Sequence, residues 1–388
     1  MPIKNRFSEM FSQIREWRRD IHAHPELLFD TVRTAGKVTG LLKEFGCDEV
    51  VERVGRIGVV GVIKGRQNDS GKVIALRADM DALPIKEDTG VDYASVNEGV
   101  MHACGHDGHT AMLLGASKYL AETRNFDGTA IVVFQPAEEG GGGGKEMVED
   151  GLMERFGIQE IYGMHNMPTL PVGEFAIRTG SFFASADSFT IEVTGVGGHA
   201  AKPDLVADPT LASSQIVIAL QSIASRNVNP VQPVVVSVTS FRTATDTHNV
   251  IPGKVVLKGT VRALDEEARA LAEKRLGEIA ETTATALGTE ASVVYERGYP
   301  VMVNADRETD FAIEAAGRIG TRVETEASLV MGAEDFAFML NERPGSYILV
   351  GNGDSAPLHN EKYNFNDETI PVGCSWWAEI AESRMPLN

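Results

Sequence analysis

The sequence predicts an α/β fold, in which a large sheet flanked by helices is interrupted by a smaller α+β domain. Short apolar, β-branched segments alternate with helical patterns near both ends of the chain, whereas the middle follows a different order of strands and helices. The chain also has 388 residues, which is more than one ordinary hydrophobic core accommodates. We therefore expect two domains.

The outer parts of the chain carry the elements of the large sheet. Short apolar segments typical of buried strands occur at 57–63, 72–76, 129–134, 160–164 and 347–350. Around them, apolar residues recur at helical spacing over 34–45, 110–122 and 372–384. Strands that alternate with helices favour a sheet that is largely parallel.

The middle of the chain reads as β-α-β-β-α-β, the order of a ferredoxin-like α+β domain. The predicted strands are 188–194, 234–241, 254–263 and 291–297, and the predicted helices are 209–224 and 266–287. The first strand, SFTIEVT, alternates apolar and polar residues, as expected where one face of a sheet is exposed. We predict an inserted domain at 183–297 and one discontinuous domain formed by 1–182 and 298–388.

The composition of the chain argues against several classes of partner and of protein. With 36 Lys and Arg against 55 Asp and Glu, the formal net charge is −19, and such a field repels nucleic acids and anionic membranes. No apolar stretch approaches the roughly 18 residues of a membrane helix, and the charged N-terminal segment does not resemble a secretory signal. Three cysteines, an odd and sparse set, argue against a disulfide framework. We expect a cytoplasmic protein without nucleic-acid or membrane partners.

Polar motifs follow the predicted strands of the large sheet at the points where the strands end. In chain order they are ADMDALP (78–84), QPAEEG (135–140), MHNMP (164–168) and the loop that reaches His359. Ligands of open α/β sheets bind at the carboxyl ends of the strands. We therefore expect these motifs to converge in space.

The segment MHACGHDGHT (101–110) is the densest group of candidate ligands. Cys104 and His106 lie two residues apart in a glycine-containing loop before a predicted helix, so a thiolate and an imidazole can face one metal ion. In a reducing compartment such a cysteine is a ligand or a nucleophile rather than half of a disulfide. The alternative is a buried cysteine with incidental histidines. His102 and His109 are interpreted as supporting or structural residues.

Two adjacent carboxylates, Glu138 and Glu139, follow the apolar run AIVVFQP. Neighbouring residues of a turn point in different directions, so one can bind a metal ion while the other faces a water, as metal-assisted hydrolysis requires. The alternative is a solvated surface pair, which the preceding apolar run disfavours. The glycines at 140–144 do not make a P-loop, because Glu139 and Glu146 occupy positions where that motif requires Gly and Ser or Thr.

Further candidates depend on position rather than on a motif. A lone histidine is usually structural, but His165 and His359 each follow a predicted strand and so belong to the same edge of the sheet. Asp81 is placed to orient a ligand histidine.

The inserted domain carries three candidates. His199 follows two glycines in VGGHAAKP and can stabilise an oxyanion, while Asn249 and Arg262 can bind a substrate carboxylate. Ordinary loop residues are the alternative for all three.

These segments resemble the hippurate hydrolase branch of the zinc-type aminoacylase and carboxypeptidase family, which also includes plant auxin–amino acid conjugate hydrolases. The matching stretches are RRDIHAHPEL, LRADMDALPI, MHACGHDGHTAMLLGA, FQPAEEGGGGGKEM, GMHNMP, GVGGHAA, HNVIPG, GTVRALD, MGAEDFAFML and LHNEKYNFND. They run from near the N-terminus to near the C-terminus, so the resemblance covers essentially the whole chain.

The resemblance implies a zinc-peptidase-like mixed sheet and a metal-dependent hydrolase that cleaves the amide bond of N-acyl amino acids. It implies two divalent ions, with Zn, Mn, Co and Ni as the candidates, and the ligands Cys104, His106, Glu139, His165 and His359. It also implies that Glu138 is the general acid and base and that the inserted domain is a lid with a dimer interface. His199 would then reach the partner subunit's site. Asn249 and Arg262 match positions that hold the substrate carboxylate.

The sequence departs from this family at two places near the expected pocket mouth. Lys202, Pro203 and Asp204 follow GGHAA where relatives commonly have Met and then Pro-His, and Asn360–Glu361 replaces a frequent His-Pro. These departures leave the acyl and amino-acid preferences open. The alternatives to an N-acyl amino acid hydrolase are a dipeptidase or carboxypeptidase with the same metal chemistry, a silent binding protein, and a cysteine hydrolase that uses Cys104.

Overall fold

The fold is described by a computed structural model that covers residues 3–387. The chain divides into two compact units. The first unit consists of the residues up to Gly180, Val303–Ser328 and the residues from Asp335 onward, and the second consists of Ser181–Met302 and Leu329–Glu334. No helix of the described residues is both long and apolar enough to cross a membrane.

The helices include all those predicted from apolar periodicity. Two long helices, Ile3–Ala23 and Asp306–Ile319, and several short ones were not predicted. In chain order they are α1 Ile3–Ala23, α2 Val32–Glu44, α3 His106–Thr123, α4 Gly143–Glu149, α5 Leu152–Arg155, α6 Pro209–Leu220, α7 Glu266–Ala286, α8 Asp306–Ile319, α9 Phe336–Glu342 and α10 Ile370–Arg384.

The strands include every segment predicted from the sequence, together with several short ones. In chain order they are β1 Glu49–Val54, β2 Gly58–Lys64, β3 Val73–Asp79, β4 Thr129–Gln135, β5 Glu160–Pro168, β6 Glu174–Ala176, β7 Gly180–Phe183, β8 Ala186–Thr194, β9 Gly198–His199, β10 Val234–Thr243, β11 Val250–Ile251, β12 Lys254–Ala263, β13 Glu290–Tyr299, β14 Met302–Asn304, β15 Arg322–Glu324 and β16 Gly345–Gly353.

The first unit is built on a mixed sheet with the strand order β1-β2-β4-β3-β5-β16-β6-β15. The pairs β3–β4, β3–β5 and β5–β16 are parallel, whereas β2 pairs antiparallel with both β1 and β4. The sheet is therefore parallel in its centre, as the alternation of strands and helices predicts, and antiparallel toward the β1 edge. The apolar side chains of the central strands, α3 and α10 form one buried core.

The predicted site segments do converge at one edge of this sheet, but three of them begin inside the strands, since β4 includes Gln135. Strand β3 includes Asp79, and β5 continues through Pro168, so that His165 lies within the strand and pairs with Leu349 of β16. The prediction that MHNMP follows the strand is wrong. Strand β16 pairs with β5 from Ile161 to Pro168, so the hydrogen-bonded part of β5 extends beyond the apolar segment 160–164 from which the strand was predicted.

The second unit has an antiparallel sheet with the order β10-β12-β8-β13. Apolar side chains on α6 and α7 pack with those of the sheet in a core of their own. This arrangement of strands and helices is that of the predicted α+β unit. The role of this unit as a lid or a dimerisation domain stays a prediction, as do the exact domain limits.

Candidate metal centre

Cys104 and His106 are presented by the turn that starts α3. Gly105 lies between them with a φ of +88°, a left-handed conformation that favours glycine. A Cβ at this position would collide with the side-chain amide of Asn166. The tight turn therefore places the Cys104 thiol and the His106 imidazole, both buried, on the side of the sheet where β5 ends.

The five side chains predicted as metal ligands come together within the first unit. Cys104 Sγ lies 3.3 Å from His165 Nε2, and His359 Nε2 lies 3.3 Å from one oxygen of Glu139. The same Glu139 oxygen is 3.9 Å from His106 Nε2. Two donor atoms that bind one zinc ion at tetrahedral angles lie about 3.3–3.7 Å apart, so the two 3.3 Å separations fit pairs of ligands to one ion, whereas the 3.9 Å separation is slightly longer.

Overlapping groups of candidate donors connect these residues to the predicted base. In each group the donor atoms lie within 4.8 Å of one another. The groups in question are Cys104 with His106 and His165, Cys104 with Glu139 and His359, and His106 with Glu138 and Glu139. Glu138, only 7% exposed, therefore borders the same cluster as the predicted ligands.

Backbone contacts fix the tautomers of two of the histidines. His106 Nδ1 is 2.8 Å from the carbonyl oxygen of Asp81, and His165 Nδ1 is 2.6 Å from that of Asn166. Because a carbonyl oxygen can only accept, each Nδ1 donates, and Nε2 is the ring atom that could bind a metal ion. The buried Nε2 of His106 makes no hydrogen bond within residues 3–387. A thiolate, imidazoles and carboxylates in this arrangement fit divalent transition metals.

The electrostatics of the cluster also fit a cation. Burial and the neighbouring Glu139 and Glu138 raise the pKa of the Cys104 thiol well above its usual value. Burial disfavours the charge on His106, but Asp79 and Asp81 outweigh it and raise its pKa to about 10. Both directions reflect concentrated negative charge, which a divalent cation offsets.

The pKa values of the other two candidate histidine ligands are shifted in opposite directions. Burial, followed by the proximity of His109, lowers the pKa of His165 well below its usual value. The Glu139 carboxylate, 3.3 Å away, raises the pKa of His359, which is more exposed than the other candidates. His359 sits in the loop between β16 and α10 with a φ of +63°. The backbone N–H of His359 donates to the carbonyl of Ala103 at 2.8 Å, which ties this loop to the Cys104 turn.

Asp81 has a different set of contacts from the one expected. Its backbone carbonyl, rather than its carboxylate, accepts the His106 Nδ1–H, and the nearest carboxylate oxygen lies 3.5 Å from that nitrogen. The two carboxylate oxygens accept the backbone N–H groups of Glu138 and Glu139 at 3.0 and 3.1 Å. The carboxylate of Asp81 thus holds the turn that carries both glutamates, while its backbone orients the histidine.

The other three predicted site residues lie in the second unit. His199 on β9 pairs with Val250 of β11, and the N–H of Ala200 donates to the carbonyl of Asn249 at 3.0 Å. His199 and Asn249 are therefore neighbours on an exposed two-stranded ribbon. Arg262 lies on β12, where burial lowers the pKa of its guanidinium.

Sequence reasoning missed a buried network beneath the candidate ligands. Arg77 donates to Gln135 and Asp79 at 2.8 Å each, and to Asp335 at 3.0 Å. Asp335 also accepts the backbone N–H of Gly144 at 2.7 Å. The members of this network are spread over the motifs LRADMDALPI, FQPAEEGGGGGKEM and MGAEDFAFML, and none of these motifs indicates which residue pairs with which.

Comparison with known proteins identifies the family. The pattern of peptidase family M20/M25/M40 matches residues 75–383, which span every candidate ligand. The chain belongs to this family. It is 44% identical over 375 residues to a hippurate hydrolase of Campylobacter jejuni, with 96% of this chain and 97% of that protein covered. It is 38% identical over 365 residues to an N-acetylcysteine deacetylase of Bacillus subtilis, with 94% of each covered.

A solved structure of the same family supports the fold. The chain matches a dinuclear metal-binding peptidase of the M20 family from Bacillus subtilis with a TM-score of 0.86 and 34% identity, covering 97% of this chain and 99% of that one. The α/β fold predicted from the sequence is confirmed. This M20 chain is a hydrolase with clustered ligands suited to divalent metal ions.

Proposed function

We propose that this M20 hydrolase cleaves the amide bond of N-acyl amino acids, releasing a carboxylic acid and a free amino acid. The observation that carries the proposal is the convergence of Cys104, His106, Glu139, His165 and His359 beside the buried carboxylate of Glu138. The names of the relatives support the substrate class, since one acts on hippurate and the other on N-acetylcysteine, both of them N-acyl amino acids.

The five clustered side chains would hold two divalent ions. Cys104, His106 and His165 form one group of candidate donors, and Cys104, Glu139 and His359 form another, so these five residues would be the ones to hold the ions. Bound ions of this type lower the pKa of a water toward neutrality and polarise a carbonyl oxygen. Zn, Co, Ni and Mn are all compatible with a thiolate, imidazoles and carboxylates, so the ligand set does not select one of them.

Glu138 is the general base and then the general acid in this proposal. Its carboxylate takes a proton from the attacking water as the water oxygen bonds to the amide carbon. Glu138 then gives that proton to the leaving nitrogen as the C–N bond breaks, so that the carboxylate is regenerated. Asp81 contributes by holding the backbone N–H of Glu138 at 3.0 Å, which fixes the starting direction of the side chain.

Residues of the second unit would recognise the substrate. His199 is proposed to stabilise the oxyanion from a partner subunit, and Asn249 and Arg262 to bind the carboxylate of the amino acid. The exposure of His199 and its position next to Asn249 support a role in contacts outside its own unit. A homodimer or larger homo-oligomer formed through this unit, working in the cytoplasm, belongs to the same proposal.

A substrate panel tests the function. Protein stripped of metal and then reconstituted separately with Zn, Mn, Co and Ni is assayed on N-acetyl amino acids, N-benzoyl amino acids and unblocked dipeptides. We expect the acyl amino acids to be turned over with higher kcat/KM than the dipeptides. Faster hydrolysis of the dipeptides would replace the proposal with a peptidase. Activity that survives complete metal removal would favour a thiol mechanism at Cys104.

A further inference from the structure

A buried histidine that the proposed hydrolysis does not use links three elements of the first unit. His109 lies one turn after His106 on α3 and is fully buried. Its Nδ1 is 2.6 Å from Oδ1 of Asp79 on β3, and its Nε2 is 2.9 Å from the backbone nitrogen of Asn166 on β5. The imidazole therefore bridges a helix and two neighbouring strands at the edge where the candidate ligands lie.

These two contacts permit a single tautomer. A backbone N–H can only donate, so Nε2 of His109 accepts from Asn166 and Nδ1 donates its proton to Asp79. The other oxygen of Asp79 is held by Arg77, whose Nη1 lies 2.8 Å away, and all three side chains are buried. The acceptor nitrogen of His109 is thus fixed in direction by an ion pair on the far side of the ring.

Asn166 is the residue through which His109 reaches the candidate ligands. Its side-chain nitrogen donates to the carbonyl of Cys104 at 2.6 Å, and its own carbonyl accepts the Nδ1–H of His165 at 2.6 Å. Its side-chain oxygen accepts the hydroxyl of Tyr363 at 2.6 Å. A shift of Asn166 would move the Cys104 thiol and the His165 imidazole relative to each other, and these donors lie 3.3 Å apart.

We propose that His109 is a positioning residue for the metal centre. By accepting the N–H of Asn166 in one tautomer, it sets the separation of Cys104 Sγ and His165 Nε2 and so prepares both for one ion. This inference rests on the proposed function, because it requires Cys104 and His165 to be ligands. Residues that hydrogen-bond to metal ligands and hold them in place often affect metal binding. Their loss typically lowers metal affinity about 10–100-fold.

Two amide substitutions separate the contact of Nδ1 with Asp79 from the contacts of Nε2 with Asn166, whose backbone and side-chain nitrogens lie 2.9 and 3.1 Å away. The side chain of Gln reaches the position of Nε2, so His109→Gln can still accept the N–H of Asn166. The side chain of Asn reaches only the position of Nδ1, so His109→Asn can donate to Asp79 but leaves that N–H without its acceptor. The matched pair therefore tests which contact serves the metal site.

The experiment measures Co²⁺ binding to metal-free full-length protein, by competition with a chelator and by the thiolate-to-cobalt absorption band. Wild-type protein is titrated first, and failure to bind Co²⁺ would end the proposed function itself. We expect His109→Gln to stay close to wild type, and His109→Asn to lose about 10–100-fold in affinity with a weaker or shifted band. The thermal midpoint of each metal-free variant is recorded to separate positioning from general stability.

Three results would overturn the inference while leaving the proposed function in place. They are unchanged affinity and absorption in both variants, equal losses in both variants, and a loss of affinity that accompanies an equal loss of thermal stability in the metal-free protein. If the His109 variants do not fold, Tyr363→Phe decides, since it removes only the hydroxyl that holds Asn166. Weaker Co²⁺ binding at an unchanged metal-free midpoint supports the inference, and unchanged binding contradicts it.

Discussion

The two adjacent glutamates of the site are distinguished by how their backbone is held. Both N–H groups of the Glu138–Glu139 turn donate to the buried carboxylate of Asp81. Ala137, just before them, has a φ of +53°, which sharpens the turn after β4. Because the peptide cannot rotate freely, the two carboxylates do not exchange places, and one can act as a ligand while the other moves a proton.

The role of Glu138 is tested by Glu138→Gln, which keeps the size of the side chain but removes its ability to carry the proton. We expect kcat to fall by about 10²–10⁴-fold, the usual contribution of a general acid or base, while metal content stays at the wild-type value. Kinetics and elemental analysis of the same preparation provide the measurement. Glu149→Gln, at an exposed residue of the nearby α4, is the matched control and should keep wild-type activity. Wild-type turnover by Glu138→Gln would remove the assignment.

A buried histidine of α1 gives the fold a pH dependence of its own. His22 Nδ1 lies 2.9 Å from Asp107 and its Nε2 lies 3.2 Å from Glu87. Arg18 and the rings of Tyr93 and His102 are the other polar groups around it. Burial disfavours the charge on His22, but the two carboxylates outweigh it and raise its pKa from 6.5 to about 9.

The sign of the effect follows from this raised pKa. The folded protein holds the proton more tightly than the unfolded chain, so the stabilisation is fully present below about pH 6.5 and is lost as the pH rises through about 9. Its size is on the order of 3 kcal/mol. The difference in unfolding free energy between wild type and His22→Gln should therefore shrink between pH 6.5 and 9.5, measured by urea denaturation. His24→Gln, at a partly exposed histidine of the same segment, is the control, and a pH-independent difference for His22→Gln would refute the prediction.

The residue types of the site were predictable from the sequence, whereas the contacts that orient them were not. Cys104 and His106 could be predicted as site residues from their spacing, and Glu138 from its position after an apolar run. Arg77 and Asp335, by contrast, are 258 residues apart in sequence, and a buried ion pair of this kind leaves no periodic pattern. For the same reason, sequence reasoning assigned Asp81 to a histidine and missed its hold on the glutamate turn.

At the scale of elements, the glycines at 140–144 allow the chain between β4 and α4 to pack closely against neighbouring backbone. Gly142 has a φ of +67° just before α4, and Gly143 is so close to the chain that an added Cβ would collide with the carbonyl of Pro136. A Cβ on Gly144 would lie 2.8 Å from the carbonyl oxygen of Asp335. These close backbone approaches explain the glycines, and no P-loop is needed to account for them.

Gly143→Ala tests this close packing. The added methyl group has no room beside Pro136, so the turn that carries the glutamates must shift, with a cost of about 1–3 kcal/mol and a fall in kcat/KM. The matched control is Gly40→Ala in the middle of α2, where an added Cβ meets nothing within 4 Å. Since alanine favours a helix over glycine by about 1 kcal/mol, that variant should be as stable as wild type or more so. Thermal unfolding and kinetics distinguish the two, and a neutral Gly143→Ala would contradict the argument.

At the scale of the whole molecule, two units with separate cores share one chain. The order of strands and helices was enough to predict the α+β unit, because local periodicity carries that information. The return of Leu329–Glu334 to the second unit was not predictable, since it depends on backbone pairing of Phe182–Ala184 with Val330 and Gly332, far away in sequence. Pairing between residues so distant in sequence is decided by tertiary contacts, which no short motif reports.

The surface of the second unit leads to a prediction about assembly. Leu211 and Ile218, seven residues apart on α6, are 53% and 66% exposed, and Phe241 on the edge strand β10 is 42% exposed. Apolar side chains on a helix face beside an open sheet edge are typical of a self-association surface, and a two-fold dimer would cover both copies alike.

We expect wild-type protein to be a dimer by light scattering and the double variant L211E/I218E to be monomeric, with unchanged metal content. If His199 serves the partner's site, the monomer should also lose most of its activity. Val303→Glu, at an exposed valine of the first unit, is the matched control, and a monomeric wild type or a dimeric double variant would refute this interface.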